Sequence, residues 1–130
     1  MAQKISNLAV AAKVKDTTSM LYGKPIIFQV ADKNHAGYPA DSVTLVTERI
    51  VKLMCFDAIE TSNSDSNRKT YGNNRYAFAN LLAWLNATGT NWYAQKHSAD
   101  APPSTANVWS GHNPYDTVAG FLTGFSLNFR

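Results

Sequence analysis

The segment Tyr71–Asn86, YGNNRYAFANLLAWLN, carries the strongest helical signal in the chain. Its apolar residues recur at spacings of three and four, which places them on one face of a helix. They are Phe78, Leu81, Leu82 and Leu85, with Trp84 flanking the stripe. Asn74 is suited to cap the first turn, and Asn86 followed by Gly89 gives a stop signal. The pattern therefore predicts one main helix over about 74–86, packed by its stripe on a sheet.

Three upstream segments have the composition of strands. Residues 5–15 alternate apolar and polar side chains, and residues 26–31 and 42–47 are rich in β-branched side chains. The polar residues Asp16–Ser19 are predicted to end the first strand, and residues 32–41 form a turn cluster. Short polar connections between such segments predict an antiparallel meander.

The remaining segments are less regular. Residues 48–58 fit a short helix or a bent strand, and we favour the helix. Residues 60–74 form a polar loop that is long enough to be a functional candidate. Residues 91–97 predict a short second helix, which Ala101-Pro102-Pro103 ends. The expected class is α+β, in a single domain over residues 1–130.

Composition argues against several classes of protein. The net charge of +3 comes from dispersed Lys and Arg, whereas phosphate contacts need clustered cations, so we expect no nucleic-acid partner. No apolar run approaches the roughly 20 residues of a membrane helix, and no signal peptide is recognisable, so we expect no membrane insertion. Cys55 is the single cysteine; it lies in an apolar run and is interpreted as a buried structural thiol.

Catalytic and metal-binding spacings are not found. Three histidines and Cys55 lack the motifs of a nucleophilic site; the histidines are His35, His97 and His112. Oxygen ligands occur in residues 57–74, but their spacing is not that of an EF-hand; they are Asp57, Glu60, Asp65 and Asn67. We therefore predict no enzyme activity, no metal and no cofactor.

A recognition surface is the remaining possibility for the second half of the chain. Residues 92–115 interleave aromatic side chains with Asn, Ser, Gly and His, a mixture typical of adaptable binding surfaces. Trp92 is interpreted as a core residue, whereas the sequence leaves open whether Trp109 is core or surface. The candidate binding residues are Tyr93, Trp109, His112, Asn113 and Tyr115.

Several of these motifs together resemble a known family. The segments YGNNRYAFANLLAWLN, WYAQKHSADAPP, NPYD and GFLTGFS, with KPIIFQVADKNHAGYP and SVTLVTERIV upstream, are similar to an uncharacterised domain of phage and prophage structural proteins of Gram-positive bacteria. That resemblance implies a C-type-lectin-like fold, in the broad sense that includes formylglycine-generating-enzyme-like domains. It also implies a twisted antiparallel sheet and long ordered loops. The sugar- and calcium-binding tripeptides of true lectins are not found here.

The expected function is that of a non-enzymatic virion protein, made in the cytoplasm of a bacterial host. It would be displayed on a tail fibre, baseplate or capsid and bind a host-surface glycan or protein through residues 60–74 and 104–116. We expect it to contact other virion proteins and to form a homo-oligomer. Two alternatives stay open: a decoration or assembly protein that binds only virion proteins, and an enzyme directed at the cell wall.

Overall fold

The computed structural model describes residues 4–21 and 23–127, and within them three strands and two short α-helices. The strands are β1 (Lys13–Leu21), β2 (Lys24–Lys33) and β3 (Val43–Thr47), and the helices are α1 (Ser66–Tyr71) and α2 (Asn80–Leu85). Short 3-10 turns occur at Ile5–Asn7, Tyr76–Phe78, Thr105–Asn107, Trp109–Gly111 and Phe121–Gly124. The α+β class is confirmed. The described residues divide into a first unit, up to Val51 and again from Gly124, and a second unit, Lys52–Thr123.

The first unit contains an antiparallel meander in the order β1-β2-β3, as predicted. The predicted bounds of the first strand are wrong, because the backbone of residues 16–19 continues β1 and does not end it. The pairing of β1 with β2 is irregular between Lys15 and Met20. The earlier part of the predicted strand is lost because Ala11 has a φ of 71°, which breaks an extended run.

One face of β2 forms the core of the first unit. Ile26, Phe28 and Val30 share that face because side chains alternate along a strand. Ile26 and Val30 are buried, and the Phe28 ring lies 6.1 Å from the ring of the buried Phe125. Glycine is required at position 124, since a Cβ there would lie 2.0 Å from the Met20 carbonyl oxygen.

The main helix, α2, is shorter than predicted. It begins at Asn80 and not at Asn74, because the Asp57 carboxylate accepts a hydrogen bond from the Asn80 backbone N–H at 2.8 Å. This long-range acceptor replaces the local cap that the sequence suggests. The end of the helix is as predicted: Asn86 is its C-cap, and the Asn86 side-chain amide donates to the Leu82 carbonyl at 2.9 Å.

The core of the second unit is aromatic and centres on Trp84. Trp84, Trp92 and Tyr115 are buried together, and Leu81 and Leu85 pack against them only partly buried. Leu81 and Leu85 of the predicted stripe do face this core, but the prediction that Trp84 only flanks the stripe is wrong, because Trp84 lies at the centre of the core. The prediction of Trp92 as a core residue is confirmed. Both indoles satisfy their N–H groups on main-chain carbonyls: Trp84 donates to Ala119 at 2.9 Å and Trp92 to Val118 at 2.8 Å.

Two other helix predictions are wrong. Residues 48–58 and 91–97 contain no helix and run as irregular chain. The second helix is instead α1, inside the predicted polar loop 60–74. It forms there because the Asp65 carboxylate accepts from the backbone N–H groups of Asn67 and Arg68, which is an N-cap.

The contrast between two tryptophans tests this assignment of the core. Trp84 is 3% exposed, so replacing it by Ala should lower the free energy of unfolding by about 3–5 kcal/mol. Trp109 is 53% exposed, and the same change there should cost no more than about 0.5 kcal/mol. Urea titration of both variants measures the difference. Equal losses would contradict the assignment, and Trp84→Phe gives a milder variant if the alanine protein does not fold.

Candidate recognition surface

The structure separates the five candidate binding residues by burial. Trp109, His112 and Asn113 are exposed, Tyr93 is half-buried, and Tyr115 has no exposed surface. Tyr115 stacks on the Trp92 ring, with centroids 5.4 Å apart and planes at 7°, and it meets Trp84 edge-on. Tyr93 meets the edge of Trp92 at 6.4 Å. Tyr115 therefore belongs to the aromatic core, and Tyr93 lies between that core and the surface.

Two exposed rings lie next to the ring of Trp109. The Trp109 ring is 6.3 Å from the Tyr71 ring and 5.8 Å from the His112 ring. Tyr71 is 61% exposed and Trp109 is 53% exposed. We call Tyr71, Trp109 and His112 the aromatic ledge. It joins the two segments that sequence reasoning singled out, 60–74 and 104–116.

Tyr71 is the ledge residue that sequence reasoning missed. It lies within the predicted binding segment 60–74 but is not among the five candidate residues, and the structure makes it the last residue of α1. The chain turns away after it at Gly72, whose φ is 81°. A Cβ at position 72 would lie 2.4 Å from the Ala58 carbonyl oxygen, so only glycine allows this close approach. The Tyr-Gly dipeptide was the available signal.

Backbone geometry fixes the Trp109 side of the ledge. The turn is closed by hydrogen bonds from Gly111 N–H to the Val108 carbonyl at 3.1 Å and from His112 N–H to the Trp109 carbonyl at 3.0 Å. Ser110, Gly111 and Asn113 all have positive φ, at 50°, 70° and 53°. Small polar residues and glycine tolerate this conformation. It explains why Ser, Gly and Asn surround the aromatic residues here.

The two segments are tied together through residues 57–60. Ile59 N–H donates to the Asn107 carbonyl at 2.7 Å, and Glu60 N–H donates to the Arg68 carbonyl at 3.0 Å. One short strip of chain therefore bonds to both sides of the ledge. The relative position of the two segments is set by backbone hydrogen bonds rather than by the exposed rings.

Buried polar groups support this strip from within. The buried Asp57 carboxylate accepts from the backbone N–H groups of Asn73 at 2.9 Å and Asn80 at 2.8 Å. Asn80 is also buried, and its side-chain oxygen accepts from Ala58 N–H at 2.8 Å. Asp57 and Asn80 therefore hold each other's segments reciprocally. Buried polar groups satisfied in this way define one arrangement of the backbone.

A second carboxylate extends the network. Asp100 is buried and accepts from the Asn80 side-chain amide at 3.3 Å and from Lys96 backbone N–H at 2.9 Å. The Lys96 ammonium group donates to the Ala79 carbonyl at 2.6 Å, at the start of α2. Segment 96–100 is thereby joined to the helix by hydrogen bonds.

Glu60 and His97 form a separate buried contact. Glu60 is 1% exposed, and its Oε2 accepts from the Asn63 side-chain amide. Its Oε1 lies 3.2 Å from His97 Nε2, which is ion-pair distance, but neither atom has a hydrogen-bond partner. The His97 ring in turn meets Phe78 edge-on at 6.3 Å. The contact links segment 60–63 to segment 97–100.

Burial sets the ionisation of two groups in and beside the aromatic core. Burial raises the pKa of the Tyr115 phenol, and burial also raises the pKa of the Cys55 thiol to about 11, so both groups stay protonated near neutrality. Within residues 4–21 and 23–127, no group of three or more His, Cys, Asp or Glu side chains is placed to hold a metal ion. Within the same residues, no helix has the length and apolar character needed to cross a membrane.

Comparison of the chain with protein-family models, with curated proteins and with solved structures finds no match. The resemblance to a phage structural family therefore stays a prediction from the motifs.

The Asp57 carboxyl predicts a distinctive pH dependence. Burial raises its pKa from 3.8, the Asp100 charge raises it further, and the hydrogen bonds from Asn80 and Asn73 oppose the shift. A carboxyl with a raised pKa in the folded state binds protons more readily there than in the unfolded chain. Its contribution to stability is therefore present below the unfolded pKa and is lost as the pH rises through the folded pKa.

Replacing Asp57 by Asn removes this titration. The unfolding free energy of the wild-type protein minus that of Asp57→Asn should therefore decrease as the pH rises from about 3.5 to 6.5. Urea titrations of both proteins across that range measure it. If the wild-type value minus the variant value instead increases with pH, the raised pKa of Asp57 is contradicted.

Cys55 should be unreactive in the folded protein. Burial, and then the Asp57 charge, raise the pKa of its thiol to about 11. At about pH 8 roughly one thiol in a thousand is then ionised, against about one in ten in the unfolded chain, where the thiol has its ordinary pKa of 9.0. Alkylation by iodoacetamide should be about 100-fold slower in the folded protein than in guanidinium at the same pH. Equal rates would show that the thiol is not shielded.

Proposed function

We propose that this chain is a non-enzymatic component of a phage virion that binds the host surface through the aromatic ledge. The observation that carries the proposal is the meeting of Tyr71 and Trp109 from two separate segments, both largely exposed. Exposure of aromatic rings to water is unfavourable in free energy, and adjacent exposed rings are typical of interaction sites. The motif resemblance to phage structural proteins supports the setting, and a C-type-lectin-like fold forms part of the proposal.

The ring content of the ledge favours a ligand that can pack against aromatic faces. Aromatic side chains supply large contact area with few rotatable bonds, so little conformational entropy is lost when they bind. His112 adds ring nitrogens that can exchange hydrogen bonds with hydroxyl or amide groups. A surface glycan or a loop of a surface protein offers both kinds of group. Several copies in one particle would strengthen a weak individual contact by multivalency.

The buried network supports binding because the ledge is positioned before a ligand arrives. The backbone on each side is fixed by hydrogen bonds to Ile59 and Glu60. Binding then does not need to order these segments, and this lowers the entropic cost of association.

Alanine substitutions in the ledge test the proposal. Fluorescently labelled protein would be applied to intact Gram-positive cells and to a glycan array. Tyr71→Ala and Trp109→Ala should each reduce binding about tenfold or more, as expected for aromatic hot spots. The matched control is Tyr38→Ala, which removes an exposed ring that contacts His35 in the first unit.

Three outcomes are distinguished. Loss in both ledge variants with binding retained by Tyr38→Ala supports the ledge. Equal binding by all proteins contradicts it. Attachment to purified virions with no binding to cells or glycans would favour the decoration or assembly alternative.

A further inference from the structure

A groove of about 470 Å³ opens in the first unit, apart from the residues of the ledge. It lies where the end of β1 and the start of β2 meet the chain that follows β3. Its described lining residues are Leu21, Lys24, Pro25, Ile26, Ile27, Glu48, Arg49, Ile50 and Val51. Its volume is in the range of sites for small ligands.

Aliphatic side chains make up most of the described lining. The described lining contains Ile, Leu, Val and Pro but no aromatic ring. Ile50 is 83% exposed and Ile27 is also exposed, so apolar surface remains accessible to a ligand. Burial of such surface favours an aliphatic partner over one that needs ring stacking.

The charged lining residues are unequal in number. Lys24 and Arg49 are cationic, whereas Glu48 is the one acidic residue of the described lining. The Glu48 carboxylate accepts a hydrogen bond from the Lys13 ammonium group. This hydrogen bond is the main reason why the pKa of Glu48 is lowered. Arg49 also acts on the Glu48 charge, so Lys13, Lys24 and Arg49 together leave an excess of positive charge at the groove. A ligand with an anionic end is therefore complementary to it.

We propose that this groove binds a straight-chain aliphatic carboxylate, with the hydrocarbon chain against Ile27, Ile50 and Val51 and the carboxylate near Lys24 and Arg49. Each methylene needs about 30 Å³, similar to the share of a water molecule in the liquid. The groove of about 470 Å³ can therefore hold a chain of about ten carbons with its carboxylate. A stable protein–protein interface buries roughly 800 Å² of surface on each partner. The nine described residues that line the groove present a much smaller surface than that.

Titration calorimetry and two-dimensional NMR test the site with octanoate, decanoate and decylammonium below their aggregation concentrations. Decanoate should bind about tenfold more tightly than octanoate, because each methylene contributes about three- to fourfold. Decylammonium, with the same chain and the opposite charge, should bind at least about tenfold more weakly than decanoate. Amide shifts should concentrate at residues 24–27 and 48–51.

Variants separate the two halves of the site. Lys24→Gln and Arg49→Gln should each weaken decanoate binding severalfold but leave decanol binding unchanged. Ile50→Asp, at an exposed position, should abolish decanoate binding while the circular dichroism spectrum stays that of the wild type. Lys69→Gln, which removes an exposed cation of the second unit, is the matched control and should change nothing.

Several results would contradict specific binding in the groove. Equal binding of decanoate and decylammonium, or shifts spread over other residues, would reduce the groove to nonspecific apolar adsorption and overturn the proposal. No decanoate binding at millimolar concentration would also overturn it. Trp109→Ala should bind decanoate normally, so failure of the ledge and failure of the groove are distinguishable.

Discussion

The second unit depends on the carboxylate of Asp57. Its two oxygens accept the backbone N–H groups of Asn73 and Asn80, which follow it by 16 and 23 residues. Asn80 returns the contact to the Ala58 N–H. This exchange sets where α2 begins and holds the strip that bonds to both sides of the ledge. Without an acceptor, each buried N–H would cost about 1–3 kcal/mol.

Local patterns predicted the parts of the fold that local physics determines. The β-branched residues of segment 26–31 and the turn cluster of residues 32–41 specify the meander, because strand preference and turn chemistry are encoded within a few residues. The main helix was overestimated for the opposite reason. Its first residues are held by Asp57, about twenty positions away, and no periodicity in residues 74–86 reveals that acceptor.

The candidate site was predicted in the same mixed way. The Ser, Gly and Asn residues around Trp109 fit the irregular segment found there, since they tolerate positive φ, but they leave the exposure of Trp109 undecided. Composition could not separate Tyr115 from the surface residues, because its burial depends on stacking with Trp92. Nor could it place Tyr71 beside Trp109, because that contact depends on the bond between Ile59 and Asn107.

The hydrogen bonds described for the ledge segments use backbone groups and inward-facing side chains. The outward rings of Tyr71 and Trp109 instead meet each other and solvent. The positions that hold the backbone in place are therefore different from the positions that form the exposed surface, although both lie in the same segments. Mutational drift at the outward positions can alter what the surface touches without altering the backbone that presents it, so specificity and stability can evolve as separate traits.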